Sequence, residues 1–225
     1  MKFNTHQHRN SVVVSLALAF SLAAAAQSSS PRGVGDKSIL KPPPGARVAI
    51  YEFEDLECPS CSVAAPVVHD AARKYDIPLE RHDFPLAMHA WAFEAAVDAR
   101  WFESKSPKLG DEYRAAVFAN QRAIASAEDL RAFTYKFAAS HQVAMPFVMD
   151  PQGLLAAKVK ADQALGDRIG IDHTPTIWIV TSHGSGPPYV EVADTSKLYQ
   201  MIDQAIAQTG GPAGTTAKSA STARK

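Results

Sequence analysis

The apolar positions along the chain switch between two periods, and the switches mark its elements. Arg47–Phe53 (RVAIYEF) is β-prone and almost wholly apolar, the pattern of a strand covered on both faces. Alternation sets Val48, Ile50 and Glu52 on one face and Ala49, Tyr51 and Phe53 on the other. Over Ser62–Tyr75 the period becomes helical, with Val63, Ala64, Val67, Val68 and Ala71 in one stripe. Pro59 suits the first turn of that helix, where its missing N–H costs nothing. Pro66 lies deeper and is expected to kink it. Leu79–Phe84 reads as a second, more polar strand. The result is a βαβ unit whose reactive groups belong at the carboxyl end of its first strand.

A long helical stretch follows. Met88, Trp91, Ala92, Ala95, Ala99 and Phe102 recur at helical spacing, and Gly110–Ala125 carries Tyr113, Ala116, Val117 and Ile124. Ser126 and Asp129 form a capping pair ahead of Leu130, Phe133, Thr134 and Phe137. Asp150-Pro151 reads as N-cap and first residue of a helix running to Ile169, stopped by Gly170. Residues 86–168 are therefore expected to form a helical insertion. Strand character returns at Thr176–Thr181 (TIWIVT), with a short partner at Tyr189–Val192 and a closing amphipathic helix at Ser196–Gln208. The expected class is α/β, a central mixed sheet flanked by helices.

Both ends differ from this middle. Ser11–Ala26 is one apolar run behind a polar, basic Met1–Asn10, and it ends in Ala24-Ala25-Ala26. It falls short of the ~20 residues of a membrane span. It reads as a signal peptide over residues 1–26, cleaved near Ala26, with an uncleaved anchor as the alternative. The mature chain is then periplasmic or otherwise extracytoplasmic, where disulfides persist. Residues 27–45 form a Pro/Ser/Gly-rich linker, and residues 209–225 hold no large apolar side chain and are expected to be disordered. Residues 46–208 are left as the folded domain.

Composition narrows the function. The 225 residues are 46% hydrophobic, enough for one packed core and unlike a disordered or collagen-like chain. Lys+Arg and Asp+Glu each number 23, and the two ends hold five bases and no acid. The middle is thus mildly acidic, which excludes a binder of nucleic acid through phosphate neutralisation.

The two cysteines, Cys58 and Cys61, lie three apart at a helix start. As a redox dithiol they are well placed. One turn brings the sulfurs together, and the helix N-terminus favours a thiolate at Cys58. Cys58 would be exposed at the tip and attack, and Cys61 would resolve the mixed disulfide. A zinc site would need two more ligands, and the histidines show no suitable spacing. A structural bridge over so short a loop would restrain little chain entropy. Glu52 is either a carboxylate aimed inward or a strand-end residue that reaches water.

The stretch Tyr51-Glu52-Phe53-Glu54-Asp55-Leu56-Glu57-Cys58-Pro59-Ser60-Cys61 resembles the active-site strand and helix of the thioredoxin fold, in particular the DsbA-like exported thiol–disulfide oxidoreductases. His82-Asp83-Phe84-Pro85-Leu86 with His89 is similar to the segment that leads into that family's helical insertion. Gly170-Ile171-Asp172-His173-Thr174-Pro175-Thr176 is similar to its cis-proline loop. The resemblance spans about 47–208. It implies a thioredoxin fold with a DsbA-like helical insertion. It also implies Cys58 as nucleophile and Cys61 as resolving thiol, with Pro59 and Ser60 as the redox-motif dipeptide. Pro175 would be cis and face the dithiol, Thr174 would line the site, and Glu52 would be a buried acid moving protons to or from Cys61.

No cofactor is expected. The partners implied are extracytoplasmic protein thiols or disulfides and a membrane-bound redox protein. With no dimerisation domain before residue 46, a monomer is expected. The direction of electron flow stays open. Pro59-Ser60 lacks a histidine, and Glu54, Asp55 and Glu57 are expected to be solvated and to oppose the thiolate. His173 borders the site or lies on the surface, and His89 and Trp91 read as packing or capping groups. The rival reading is an exported thioredoxin-like binding module, for peptide or for Cu(I) with His173 as a further ligand.

Overall fold

The computed structural model describes Met1 and residues 35–210. The rest of the expected signal peptide, residues 27–34 of the expected linker and residues 211–225 lie outside the described residues.

Ten elements follow in order: β1 (Val48–Glu54), α1 (Pro59–Tyr75), β2 (Leu79–Asp83), α2 (Ala92–Glu103), α3 (Pro107–Asn120), α4 (Ala127–Ser140), α5 (Leu154–Ile169), β3 (Thr176–Thr181), β4 (Tyr189–Glu191) and α6 (Leu198–Gln208). The sheet order is β2-β1-β3-β4. β1 and β2 run parallel, with Glu52 opposite Arg81, while β3 is antiparallel to both β1 and β4. This is a thioredoxin fold with a helical insertion.

Alternation sorts the two central strands as their patterns require. Val48 and Ile50 of β1, with Ile177 and Ile179 of β3, pack under Ala64 and Val68 of α1 and Leu198 and Ile202 of α6. Phe53, Trp178 and Val180 face the other way, against Phe84 and Ile169. α1 continues through Pro66 and ends at Asp76, which takes a left-handed conformation (φ 50°).

The insertion divides its work. α2, α3 and α4 build a core of their own around Trp91, Phe102, Tyr113, Leu130 and Phe137, and Leu56 from the loop after β1 is plugged into it. α5 returns to the sheet. Gly166 lies against the Phe84 ring so closely that a Cβ would come within 2.4 Å of it. Ser126 caps α4 through Asp129 N–H as the sequence predicts. The start of α5 differs. Asp150 is not its N-cap, because residues 151–153 form a turn and Gly153, in a left-handed conformation, precedes the helix. Asp150 instead accepts from Ala156 N–H at 2.8 Å.

A buried ionic cluster, unforeseen from the sequence, ties the insertion to the sheet. Arg114 of α3 donates to Glu54 of β1 (2.8 Å) and to Asp83 of β2 (2.6 Å). Arg100 of α2 donates to Asp83 (2.5 Å) and to Asp162 of α5 (2.6 Å). Burial pushes Asp83 up, and the two arginines more than offset it, holding the carboxyl below its usual range.

Residues 35–41, which composition assigns to the linker, pack on the domain. Leu40 is buried beside Phe53 and Trp178, and Tyr51 O–H donates to the Lys41 carbonyl at 2.7 Å.

Candidate active site

β1 ends at Glu54, and four residues later Cys58 is the N-cap of α1, with extended backbone and no side-chain cap bond of its own. Pro59 follows as the first helical residue. This geometry aims the first-turn N–H groups of Ser60 and Cys61 at the Cys58 sulfur. Both cysteines are free thiols.

The expectation of an exposed Cys58 is corrected: it is 6% exposed, and Cys61 is fully buried. The cover is the loop before β3. The Thr174–Pro175 peptide is cis, and Cys58, in its protonated form, donates to the Thr174 carbonyl at 3.3 Å. Ser60, Thr174 and Pro175 also line a cavity of about 470 Å³ between α1 and the segment after β4, walled further by Val63, His173 and Val192. Val63 is solvent-exposed there. His173 stands on this wall with Nδ1 2.7 Å from Asp172 Oδ1. Among the described residues no group of three or more His, Cys, Asp or Glu side chains is arranged to hold a metal ion.

The two thiols are electrostatically unlike. The hydrogen bond from Cys61 is the largest influence on Cys58. Burial opposes it, while the Thr174 side chain and the Cys61 and Ser60 N–H groups add to it, bringing the Cys58 pKa down to about 5. Cys61 shifts upward, first because its proton is held by Cys58 and then because it is buried. Asp55 N–H donates to the Cys61 sulfur at 3.5 Å. The pair therefore holds one thiolate, at Cys58, and one thiol behind it.

Two of the three acids beside Cys58 are buried, and Glu57 is half-buried. Glu54 and Asp55 are each 1% exposed. Glu54 is paired with Arg114 and lies 3.5 Å from Arg81. Asp55 accepts from Glu57 N–H and Leu86 N–H, each at 2.7 Å, and its Oδ2 lies 2.7 Å from His89 Nδ1. Glu57 accepts from Trp91 N–H at 2.7 Å. Burial disfavours a proton on His89, yet Asp55, with help from Glu57 and Cys58, raises its pKa. These carboxylates are matched by donors and cations, so they oppose the thiolate far less than solvated charges at the same positions in sequence would suggest.

Glu52 is fully buried on the α1 side of the sheet, and neither carboxyl oxygen has a hydrogen-bond partner. Burial first, and the Glu54 charge second, raise its pKa well above the usual carboxylate range against the pull of Arg81 and Arg114. Its surroundings favour the neutral acid. No hydrogen bond joins it to Cys61; His69 Nε2 lies 4.0 Å from its Oε2.

Sequence reasoning missed Gln121. From the turn after α3, its Nε2 donates to the carbonyls of Leu56 (2.8 Å) and Cys58 (3.0 Å), holding the redox loop from the insertion side. Nothing in a single polar residue at a helix end announces that role. Arg114 did leave a trace: it falls three residues before Val117, on a helix face otherwise read as apolar.

A family model described as thioredoxin (Thioredoxin_4) matches residues 43–191. No curated protein matches the sequence. Among solved structures, the chain is similar to alpha-DsbA1 of Wolbachia pipientis, with 18% identity and a TM-score of 0.59 over 77% of this chain and 95% of that one. It is also similar to Pseudomonas aeruginosa DsbA2, with 23% identity and a TM-score of 0.52 over 73% and 91%. A third is a periplasmic thioredoxin-like protein from Salmonella enterica serovar Typhimurium, with 15% identity and a TM-score of 0.55 over 73% and 92%. With two-thirds of its length inside the family match, the chain belongs to the thioredoxin family, and its sheet order and helical insertion are similar in fold to the DsbA structures.

Proposed function

We propose that the protein is an exported thiol–disulfide oxidoreductase that exchanges disulfides with protein substrates through Cys58-Pro59-Ser60-Cys61. The observation that carries this reading is the pairing of an acidic Cys58 thiol, pKa about 5, with a fully buried Cys61 thiol one turn behind it, against the Thr174–Pro175 loop.

In the reductive direction, the Cys58 thiolate attacks a substrate disulfide. An S–S bond forms to Cys58, and one substrate sulfur leaves as thiolate. Cys61, relieved of its proton, then attacks Cys58 Sγ. The Cys58–Cys61 bond forms, the second substrate sulfur leaves, and the substrate has gained two electrons. Oxidation of substrates runs through the same bonds in reverse. Thr174 and Pro175 line the cavity beside the dithiol, where an extended peptide would lie. Glu52, held neutral and sealed from water, suits a proton carrier for Cys61.

The apolar run of residues 11–26 and the Salmonella relative described as periplasmic support an extracytoplasmic location. A membrane-bound protein would then restore the redox state of the pair. Insulin reduction with dithiol as electron source tests the exchange reaction. Wild type is expected to turn over and Cys58→Ser is expected not to. An inert wild type that binds Cu(I) stoichiometrically would overturn the reading in favour of a binding module.

A further inference from the structure

Glu52 poses a problem that its burial creates. As the neutral acid it cannot take a proton from Cys61 until it has lost its own, and after giving one it must be refilled. Neither step can use water directly, because the side chain is fully enclosed and its oxygens touch no donor or acceptor. A route through another side chain is required.

His69 offers that route. It sits on α1, eleven residues beyond Cys58, with Nε2 4.0 Å from Glu52 Oε2 and a side chain 26% exposed. It lines a cavity of about 390 Å³ between α1 and α3, with Ser62, Pro66 and Phe118, and another of about 340 Å³ toward β2, with Leu79 and Pro107. Each is far larger than the ~30 Å³ of one water molecule. The ring thus bridges a sealed carboxyl and hydrated surface.

The charged groups around it come from every neighbouring element. They are Glu52 and Glu54 on β1, Arg81 on β2, Glu103 on α2, Asp111 and Arg114 on α3, and Asp70 and Arg73 on α1 itself. Arg81 Nη1 lies 3.4 Å from Nε2. Burial, then Arg81, hold the His69 pKa below its ordinary value against Glu54 and Asp111. The ring is therefore neutral at neutral pH, and Arg81, which can only donate, must give up the Nε2 lone pair before that atom accepts a proton.

We infer that His69 is the relay by which the Glu52 carboxyl exchanges its proton with solvent during each redox cycle. The inference rests on the thiol-exchange reading above. In the step that resolves a mixed disulfide, the Glu52 O–H bond breaks and an N–H bond forms at His69 Nε2, while the Nδ1 proton leaves to water in a flanking cavity. The freed carboxylate then takes the Cys61 proton as Cys61 attacks Cys58 Sγ and the substrate thiolate departs. The opposite half-cycle runs the same bonds backwards. Closing the 4.0 Å gap takes a shift of about 1 Å. His69 is a positioning residue: it acts through Glu52, 4.0 Å away.

The test is single-turnover resolution of the glutathione mixed disulfide on Cys58, followed across pH by rapid quenching. Wild type is compared with Glu52→Gln, His69→Ala, His69→Gln and the double variant Glu52→Gln/His69→Ala. Removing the relay is expected to slow resolution about tenfold. Added imidazole is expected to restore His69→Ala, whose vacated volume admits it, and not His69→Gln. The double variant should be no slower than Glu52→Gln alone. The reduction potential of the pair should match wild type, because a relay changes a rate and not an equilibrium. Wild-type rates in both His69 variants across pH would overturn the inference. So would a loss in the folded His69→Gln protein that adds to the Glu52→Gln defect and shifts the potential. If wild type forms no mixed disulfide with glutathione at all, the exchange reading itself fails, a result distinct from either.

Discussion

Gln121 Nε2 donates to the carbonyl oxygen of Cys58 at 3.0 Å, so the residue that begins the redox helix is held by a side chain some sixty positions away in the insertion. The same amide holds Leu56 O, and Leu56 itself is buried among the insertion's aromatic rings. Replacing Gln121 with Ala removes both bonds. Each is worth about 0.5–1.5 kcal/mol, so a loss of roughly 1–3 kcal/mol is expected in denaturant unfolding of the reduced protein. Insulin reduction should slow as the Cys58 turn loosens. Gln121→Glu should be worse, since it sets a carboxylate against two carbonyl oxygens.

The Cys58 thiolate can be titrated directly. Its ultraviolet absorbance in the reduced protein is expected to appear with a midpoint of about 5, and Cys58→Ser should abolish that transition. The sign of the linkage follows. A thiol pKa lowered on folding stabilises the reduced fold fully above the unfolded pKa near 9, and this is lost as pH falls through about 5. The disulfide form cannot ionise at Cys58, so the same shift favours the reduced state and makes the pair more oxidising at neutral pH. Thr174→Val removes a hydroxyl that helps to lower this pKa. Its midpoint should rise and its potential should fall, as read by glutathione equilibration.

Asp98 provides a second pH dependence of opposite sign. It is buried in α2, where its Oδ2 accepts from Thr134 at 3.1 Å, and burial, with Glu94 adding, lifts its pKa to about 7. Between the ordinary carboxylate value and 7 the folded chain holds a proton that the unfolded chain lacks. Stability therefore falls as pH rises through that window, by a few kcal/mol at most, and levels off above it. Asp98→Asn should flatten this slope and be more stable than wild type at pH well above 7. Melting temperatures across pH check it, and an unchanged slope would refute it.

Arg114 is 1% exposed and faces two carboxylates equally buried. Arg114→Met would leave Glu54 and Asp83 without their shared cation, and a cost of about 3–5 kcal/mol is expected in urea unfolding. Adding Glu54→Gln should recover part of that loss, because without Arg114 the Glu54 carboxylate keeps only the longer contact to Arg81, while Asp83 keeps Arg100.

The sheet and its facing helices were legible because period and burial agree. β1 and β3 are largely apolar on both faces, and alternation sets Ile50 and Phe53 on opposite faces of the sheet, where the fold packs them against α1 and α5. The dithiol and the Thr174–Pro175 loop were legible because they are local motifs. What escaped was set by distant pairing. Asp55 reads as a surface acid in sequence, and only the approach of Leu86 and His89 makes it an internal one. Cys58 reads as exposed because a helix tip usually is, and only the loop 116 residues on covers it. Glu52 was undecided by pattern, since a strand-end position can face either way, and the fold encloses it.

The segment ahead of β1 grips the end of α5. Asp36 N–H bonds to the Arg168 carbonyl at 3.2 Å, and Gly35 lies so close that a Cβ there would fall 2.0 Å from the Ile169 carbonyl carbon. Five residues past Gly170 comes Pro175. The leading stretch of the domain is therefore packed on the turn that feeds the loop over Cys58, and a methyl group at position 35 would press on that turn rather than on the sulfur.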